Sequence, residues 1–188
     1  APPPGHHQHD GFFLRFLLGI GYTNLGAEAG ATDMKIAGGG GAFSFALGGA
    51  VTPNLILFGE LLQSIAVDPD VEIAGQSSST EGTSASLVGV GAGLAYYLPN
   101  NIYVSGTLAF TQISLMDEDD EEIADTEFGP GLSLVVGKEW WVSENWGLGI
   151  AGQLYAARMK DRAPAAPGGE TPTWQGLGLN LLFSASFN

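Results

Sequence analysis

FGPGLSLVVGKEWWVSENWGLGIAGQLYAARMK, residues 128–160, is the stretch whose reading decides the fold. It reads as two strands joined by a tight turn at Ser143, Glu144 and Asn145. From Leu132 the alternate positions are Leu134, Val136, Lys138 and Trp140; after the turn they are Trp146, Leu148, Ile150, Gly152 and Leu154. Successive side chains of a strand point to opposite faces, so one face is bulky and apolar, with tryptophans near the turn. The other face is Gly129, Gly131, Ser133, Gly137, Gly147, Gly149, Ala151 and Gln153, small and nearly uncharged. A soluble sheet carries its charges on the face away from the core. Here the charges lie in loops, which predicts a closed barrel whose outer wall meets lipid.

The same pattern recurs on both sides. Phe12, Leu14, Phe16, Leu18, Ile20 and Tyr22 alternate with Phe13, Arg15, Leu17, Gly19 and Gly21, and a polar loop is expected over residues 23–33. Phe43, Phe45, Leu47 and Val51 follow, then a short turn at Thr52, Pro53 and Asn54. Leu57, Gly59 and Leu61 are placed outward because the opposite register would expose Glu60 to lipid. A long polar loop over residues 66–84 leads to Val88, Val90, Ala92, Leu94 and Tyr96, a second short turn at Pro99, Asn100 and Asn101, and Ile102, Val104, Leu108 and Phe110. An acidic loop over residues 117–127 precedes the opening hairpin, and a fourth loop over residues 162–173 precedes Leu177, Leu179, Leu181, Phe183 and Phe187. The count is eight strands, with short and long connections alternating.

A chain of 188 residues is enough for one domain. No run approaches the ~20 consecutive apolar residues of a membrane helix, and a closed barrel is the other way through a bilayer. Without cysteine, disulfide and thiolate chemistry are excluded. The net charge of -14 argues against nucleic acid, whose phosphates require clustered Lys and Arg.

The even strand number, the alternating connections and the aromatics at strand ends are the pattern of a transmembrane barrel. From Gly11 onward the chain resembles small bacterial outer-membrane barrels of the OmpX and OmpA transmembrane-domain type. The resemblance implies an all-β, eight-stranded antiparallel up-and-down transmembrane β-barrel over residues 11–188, with short periplasmic turns and longer extracellular loops. It implies a location in the outer membrane of a Gram-negative bacterium and an aromatic close to the C-terminus, met here by Phe187, which Asn188 follows. Residues 1–10 are expected to be a flexible Pro/His-rich periplasmic tail. The soluble rival is a lipocalin-like barrel with its apolar face inward, which would leave a Gly, Ala and Ser outer face with almost no charge for solubility.

An eight-stranded lumen holds side chains and no wide channel. Phe13, Phe58, Tyr97, Tyr103 and Trp141 are expected to plug the periplasmic mouth, with the outer half of the lumen an open cup lined by small residues. Arg15 is the cation whose parity points inward, and a buried guanidinium needs a partner, so a lumen salt bridge to Glu60 or Glu139 is expected. Tyr22, Trp140, Trp146, Trp174 and Phe187 are candidates for the membrane-interface belts, with Lys138 beside the tryptophans. Lys35, Arg158, Lys160 and Arg162 share the outward parity at the long-loop rim, where they suit lipopolysaccharide phosphates or simply snorkel.

The acidic run holds a candidate weak Ca²⁺ or Mg²⁺ site at Asp117, Asp119 and Glu121, although it departs from the EF-hand spacing. No other cofactor is expected. His6, His7 and His9 are candidate Zn²⁺ or Cu²⁺ ligands on the tail. Gly147, Gly149 and Gly152 match GxGxxG inside a strand with no βαβ unit around them, so the match is accidental. All three histidines lie in the tail, which leaves Ser-His chemistry in the barrel without a base. The expected role is therefore non-enzymatic, structural or interactive, through outer-membrane lipids, lipopolysaccharide, an envelope protein or a second copy. The alternative is a carrier or narrow pore for a small apolar solute.

Overall fold

The computed structural model describes residues 9–29, 32–117, 119, 122–162 and 171–188, and every regular element among them is a strand. In chain order these are β1 (Phe12–Ala29), β2 (Thr32–Thr52), β3 (Leu55–Val67), β4 (Asp70–Ile73), β5 (Gln76–Ser79), β6 (Ser84–Tyr97), β7 (Ile102–Met116), β8 (Glu122–Asp125), β9 (Gly129–Trp141), β10 (Trp146–Lys160) and β11 (Thr173–Phe187). The eight long ones pair antiparallel in the order β1-β2-β3-β6-β7-β9-β10-β11, and β11 returns to β1, which closes the barrel and leaves the wall no free edge.

The bulky residues face out. Ile20, Leu108, Leu179 and Leu181 are exposed, whereas Phe13, Leu17, Ser44, Ser105 and Ser184 on the alternate positions are buried. A lipocalin-like arrangement would reverse this, so the soluble rival falls. On β1 the outward apolar positions run from Phe12 to Tyr22. Ten residues of a strand tilted at about 40° rise about 25 Å, the height of an outer-membrane apolar band.

Tight curvature brings neighbouring backbones inside the wall at certain inward positions. A Cβ on Gly91 would lie 2.1 Å from the carbonyl oxygen of Leu108. Only glycine fits there, and it bends the strand around the small circumference. At the short-turn end, Asn54 and Asn101 take left-handed φ values of 67° and 61°. Asparagine tolerates that region, which suits Asn one residue after Pro53 and two residues after Pro99.

The opposite end departs from expectation. Much of the segments expected as loops at 23–33, 66–84 and 117–127 is strand: β1 and β2 stay paired to Ala29 and Thr32, β4 pairs with β2, and β8 pairs with β7. Here outward positions such as Asn24, Lys35 and Gln175 are polar, although Val67, Ile73 and Ile123 remain exposed, so the period-two pattern of the band below is lost.

Candidate functional site

Two interior layers and one stretch of outer wall hold the chain's chemistry. Near the short turns, Arg15 is fully buried and makes no contact ion pair. The expected salt bridge to Glu60 or Glu139 is therefore corrected. The guanidinium donates through Nη2 to Ser105 Oγ at 3.1 Å and stacks on three rings, its Cζ lying 5.0 Å from the Tyr103 centroid, 5.2 Å from Phe58 and 5.6 Å from Phe13. Cation–π attraction strengthens where water is excluded, so the rings occupy the place expected for a carboxylate.

Both carboxylates are instead held by hydroxyls. Ser44 and Thr107 donate to the two oxygens of Glu60, the latter at 2.5 Å. Ser184 and Ser186 donate to Glu139 at 2.5 and 2.6 Å. Because the Ser184 proton goes to Glu139, the Tyr103 phenol at 3.0 Å donates to Ser184. Arg15 still lies within electrostatic reach of both acids.

The mouth below is filled by Phe13, Phe58, Tyr97 and Tyr103, with Trp141 half-buried at the rim. The Tyr103 ring occupies the space above Gly137, whose Cβ would lie 2.4 Å from the phenol carbon. His9 is part of this plug, which corrects its assignment to a flexible tail. Its ring stacks on Tyr97 at 3.6 Å, and its Nε2 is 2.7 Å from Asn101 Oδ1. Nothing in the alternation signals this, because His9 precedes the first strand. His6 and His7 lie outside the described residues.

Above the charged layer, a polar belt joins Asn180 to Gln153 and Gln153 to Ser133, while Tyr155 meets Thr23 Oγ1 at 2.8 Å. Beyond it the lumen is apolar. Leu25, Ile36, Leu62, Leu87, Ile113, Met159 and Trp174 form one buried cluster, and the space beside Leu87 and Tyr155 is about 10 Å³. That volume is at the limit for a single water. The outer lumen is therefore no open cup: Leu25, Ile36 and their neighbours fill it from strand segments whose polar outward positions read as loops.

Trp174 is corrected as well. It faces inward, 7% exposed, and donates from Nε1 to Asp161 Oδ2 at 3.0 Å. Its parity with the inward Gly176 was the available signal. Trp140, Trp146 and Phe187 face out at the short-turn end, where Trp146 and Phe187 meet edge to face at 5.4 Å and Lys138 lies 5.7 Å over Trp140. Tyr22 faces out near the other edge of the band.

Of the rim cations, Arg162 is committed to Asp125 at 2.8 Å. Lys35, Arg158 and Lys160 point outward on β2 and β10, strands separated only by β11 and β1. Between them lies a groove of about 530 Å³, whose outward lining is Asn24, Gly26, Lys35, Ala156, Gln175 and Leu177. In the acidic loop, Asp117 Oδ1 accepts from the Asp119 amide at 3.0 Å, and Glu121 lies outside the described residues. Among the described residues no group of three His, Asp or Glu side chains is placed to hold a metal.

No protein-family model matches the chain, and no curated protein matches it either. Solved structures do. Neisserial surface protein A superposes with a TM-score of 0.55 at 12% identity, over 92% of this chain and 96% of that one. The outer membrane protein OprG from Pseudomonas aeruginosa gives 0.53 at 12% identity, over 96% and 98%. The outer membrane protein AlkL, solved in DMPC lipid bilayers, gives 0.54 at 11% identity, over 100% and 95%. At these identities the likeness is one of fold: this chain is an eight-stranded barrel of the outer-membrane type.

Proposed function

We propose that the chain is a non-enzymatic barrel of a Gram-negative outer membrane, with its short turns in the periplasm and its long-loop end outside. It acts through its outer surfaces, bracing the membrane and meeting lipid or a protein partner, while its lumen stays closed. The observation that carries this reading is the filled interior: an aromatic plug, a hydroxyl-held charged layer and an apolar cluster follow one another along the axis. The only histidine among the described residues, His9, is tied to Asn101 in the plug and stands far from any nucleophile at the outer rim. That argues against imidazole-based catalysis at the outer rim.

Purified protein in planar bilayers tests the closed lumen. The expected result is a quiet membrane; stable, well-resolved unitary conductances would overturn it. A second reading, passage of a small apolar solute, is favoured by the apolar character of the outer lumen and by the small residues Ala27, Ala157 and Gly176, which separate it from the groove. Vesicles that take up an apolar dye faster when they contain the protein would favour that alternative.

A further inference from the structure

The wall groove and the charges around it are unevenly placed. Of the six Lys and Arg in the chain, Arg15 is in the lumen and Lys138 is at the short-turn rim. The other four follow one another around the long-loop rim, on β2 and at the end of β10. Cross-strand pairing lines up one row: Arg158 beside Gln175, Gln175 beside Gly26, Gly26 beside Lys35. Directly paired residues share a face, so this row presents a cation, an amide, a gap and a second cation to the outside. Gly26 has no backbone or side-chain atom closer than 4.0 Å to where a Cβ would stand, which leaves the gap open. One row closer to the membrane come Ala156, Leu177 and Asn24, and then the apolar band with Leu179 and Tyr22.

Neither Lys35 nor Arg158 has an ion-pair partner among the described residues, although Glu72 of β4 stands next to Lys35 in the ladder. Arg158 and Lys35 are three strand spacings apart, about 14 Å between backbones. Flexible side chains at that separation suit two anionic groups on one headgroup better than a single phosphodiester. The position at the edge of the apolar band supplies a place for acyl chains immediately below.

We propose that this row is a binding site for a bisphosphorylated glycolipid of the outer leaflet, with Lys35 and Arg158 each taking one phosphate, Asn24 and Gln175 meeting the sugar amides and hydroxyls, and Leu177 and Tyr22 flanking the acyl chains. The site rests on the orientation given above, with the long-loop end outside. A soluble phosphate would need no adjoining apolar band, so the occupant is the membrane lipid.

Native mass spectrometry of the detergent-purified chain with added lipid tests it. Bisphosphoryl lipid A is expected to remain bound at least tenfold better than monophosphoryl lipid A or phosphatidylglycerol. Lys35→Gln combined with Arg158→Gln should lower that retention by roughly tenfold or more, while Lys138→Gln leaves it unchanged. Equal retention by the double variant, equal retention of the monophosphoryl lipid, or displacement by millimolar inorganic phosphate would each overturn the proposal. The orientation is tested separately, by protease added to intact cells: cleavage at the long-loop end supports it. If that cleavage fails while purified protein still selects bisphosphoryl lipid, the row's selectivity for the lipid remains but the outer-leaflet assignment, which rests on the orientation, is overturned.

Discussion

The two halves of the lumen are filled by different physics. Toward the short turns, a guanidinium, two carboxylates and four hydroxyl donors are arranged so that each acid oxygen is met, with aromatic rings closing the end. Toward the long loops, shape does the filling: Leu25, Leu62, Leu87, Ile113 and Trp174 belong to one buried cluster, and the space beside Leu62 and Leu87 is only about 10 Å³. The lower half lies inside the membrane band, where the outer wall contributes no hydrophobic driving force between strands because lipid is as apolar as leucine. Directional bonds across the lumen hold that section. The upper half stands where the outer face is wetted, so burying apolar side chains inside is favourable in the usual way.

The contrast can be broken most directly at Arg15. Arg15→Met removes the charge-assisted bond to Ser105 and the contacts with three rings, and leaves Glu60 and Glu139 without a nearby cation, at a cost of about 3–5 kcal/mol. Urea unfolding in lipid vesicles should show this loss, and Glu139→Gln added to Arg15→Met should restore part of it. An unchanged midpoint would mean that the rings and hydroxyls alone hold the layer. Leu87→Ala probes the upper half, since Leu87 is fully buried and its Cδ1 lies 3.0 Å from where a Cβ on Gly176 would be. A cost of about 2–4 kcal/mol is expected from lost transfer energy and the cavity left behind. Because the two sites share no partner, the costs should add, and a strong departure from additivity would show that the halves are coupled. Tyr155→Phe sharpens the boundary between them: it removes the bond to Thr23, which keeps its contact with Ser64 at 3.1 Å. The same unfolding assay should register about 1 kcal/mol.

Legibility followed the membrane. Inside the band, outward positions such as Leu134 and Leu179 are bulky and inward ones such as Ser133 and Gly178 are small, so parity alone assigns the face. Above the band the outward face turns polar, and residues 23–33 and 66–84 read as loops even though β1, β2 and β4 run through them. Their inward residues were therefore invisible as lumen filling. Parity also places Trp174 inward, beside Gly176, where an interface role for a tryptophan had been expected. Arg15, Glu60 and Glu139 were brought to one layer as parity predicts, but not to one another.

What the chain's order of residues determined is the barrel itself: eight alternating segments, two Pro-Asn turns, and the side of each strand that meets lipid. Period two is a local property, set by backbone geometry within a single strand. Only the closed structure decided which inward residues share a height. That depends on cross-strand register, which sets Ser184 and Ser186 against Glu139, aligns Arg158 with Gln175 and Lys35 across the wall, and brings His9 back beneath Tyr97.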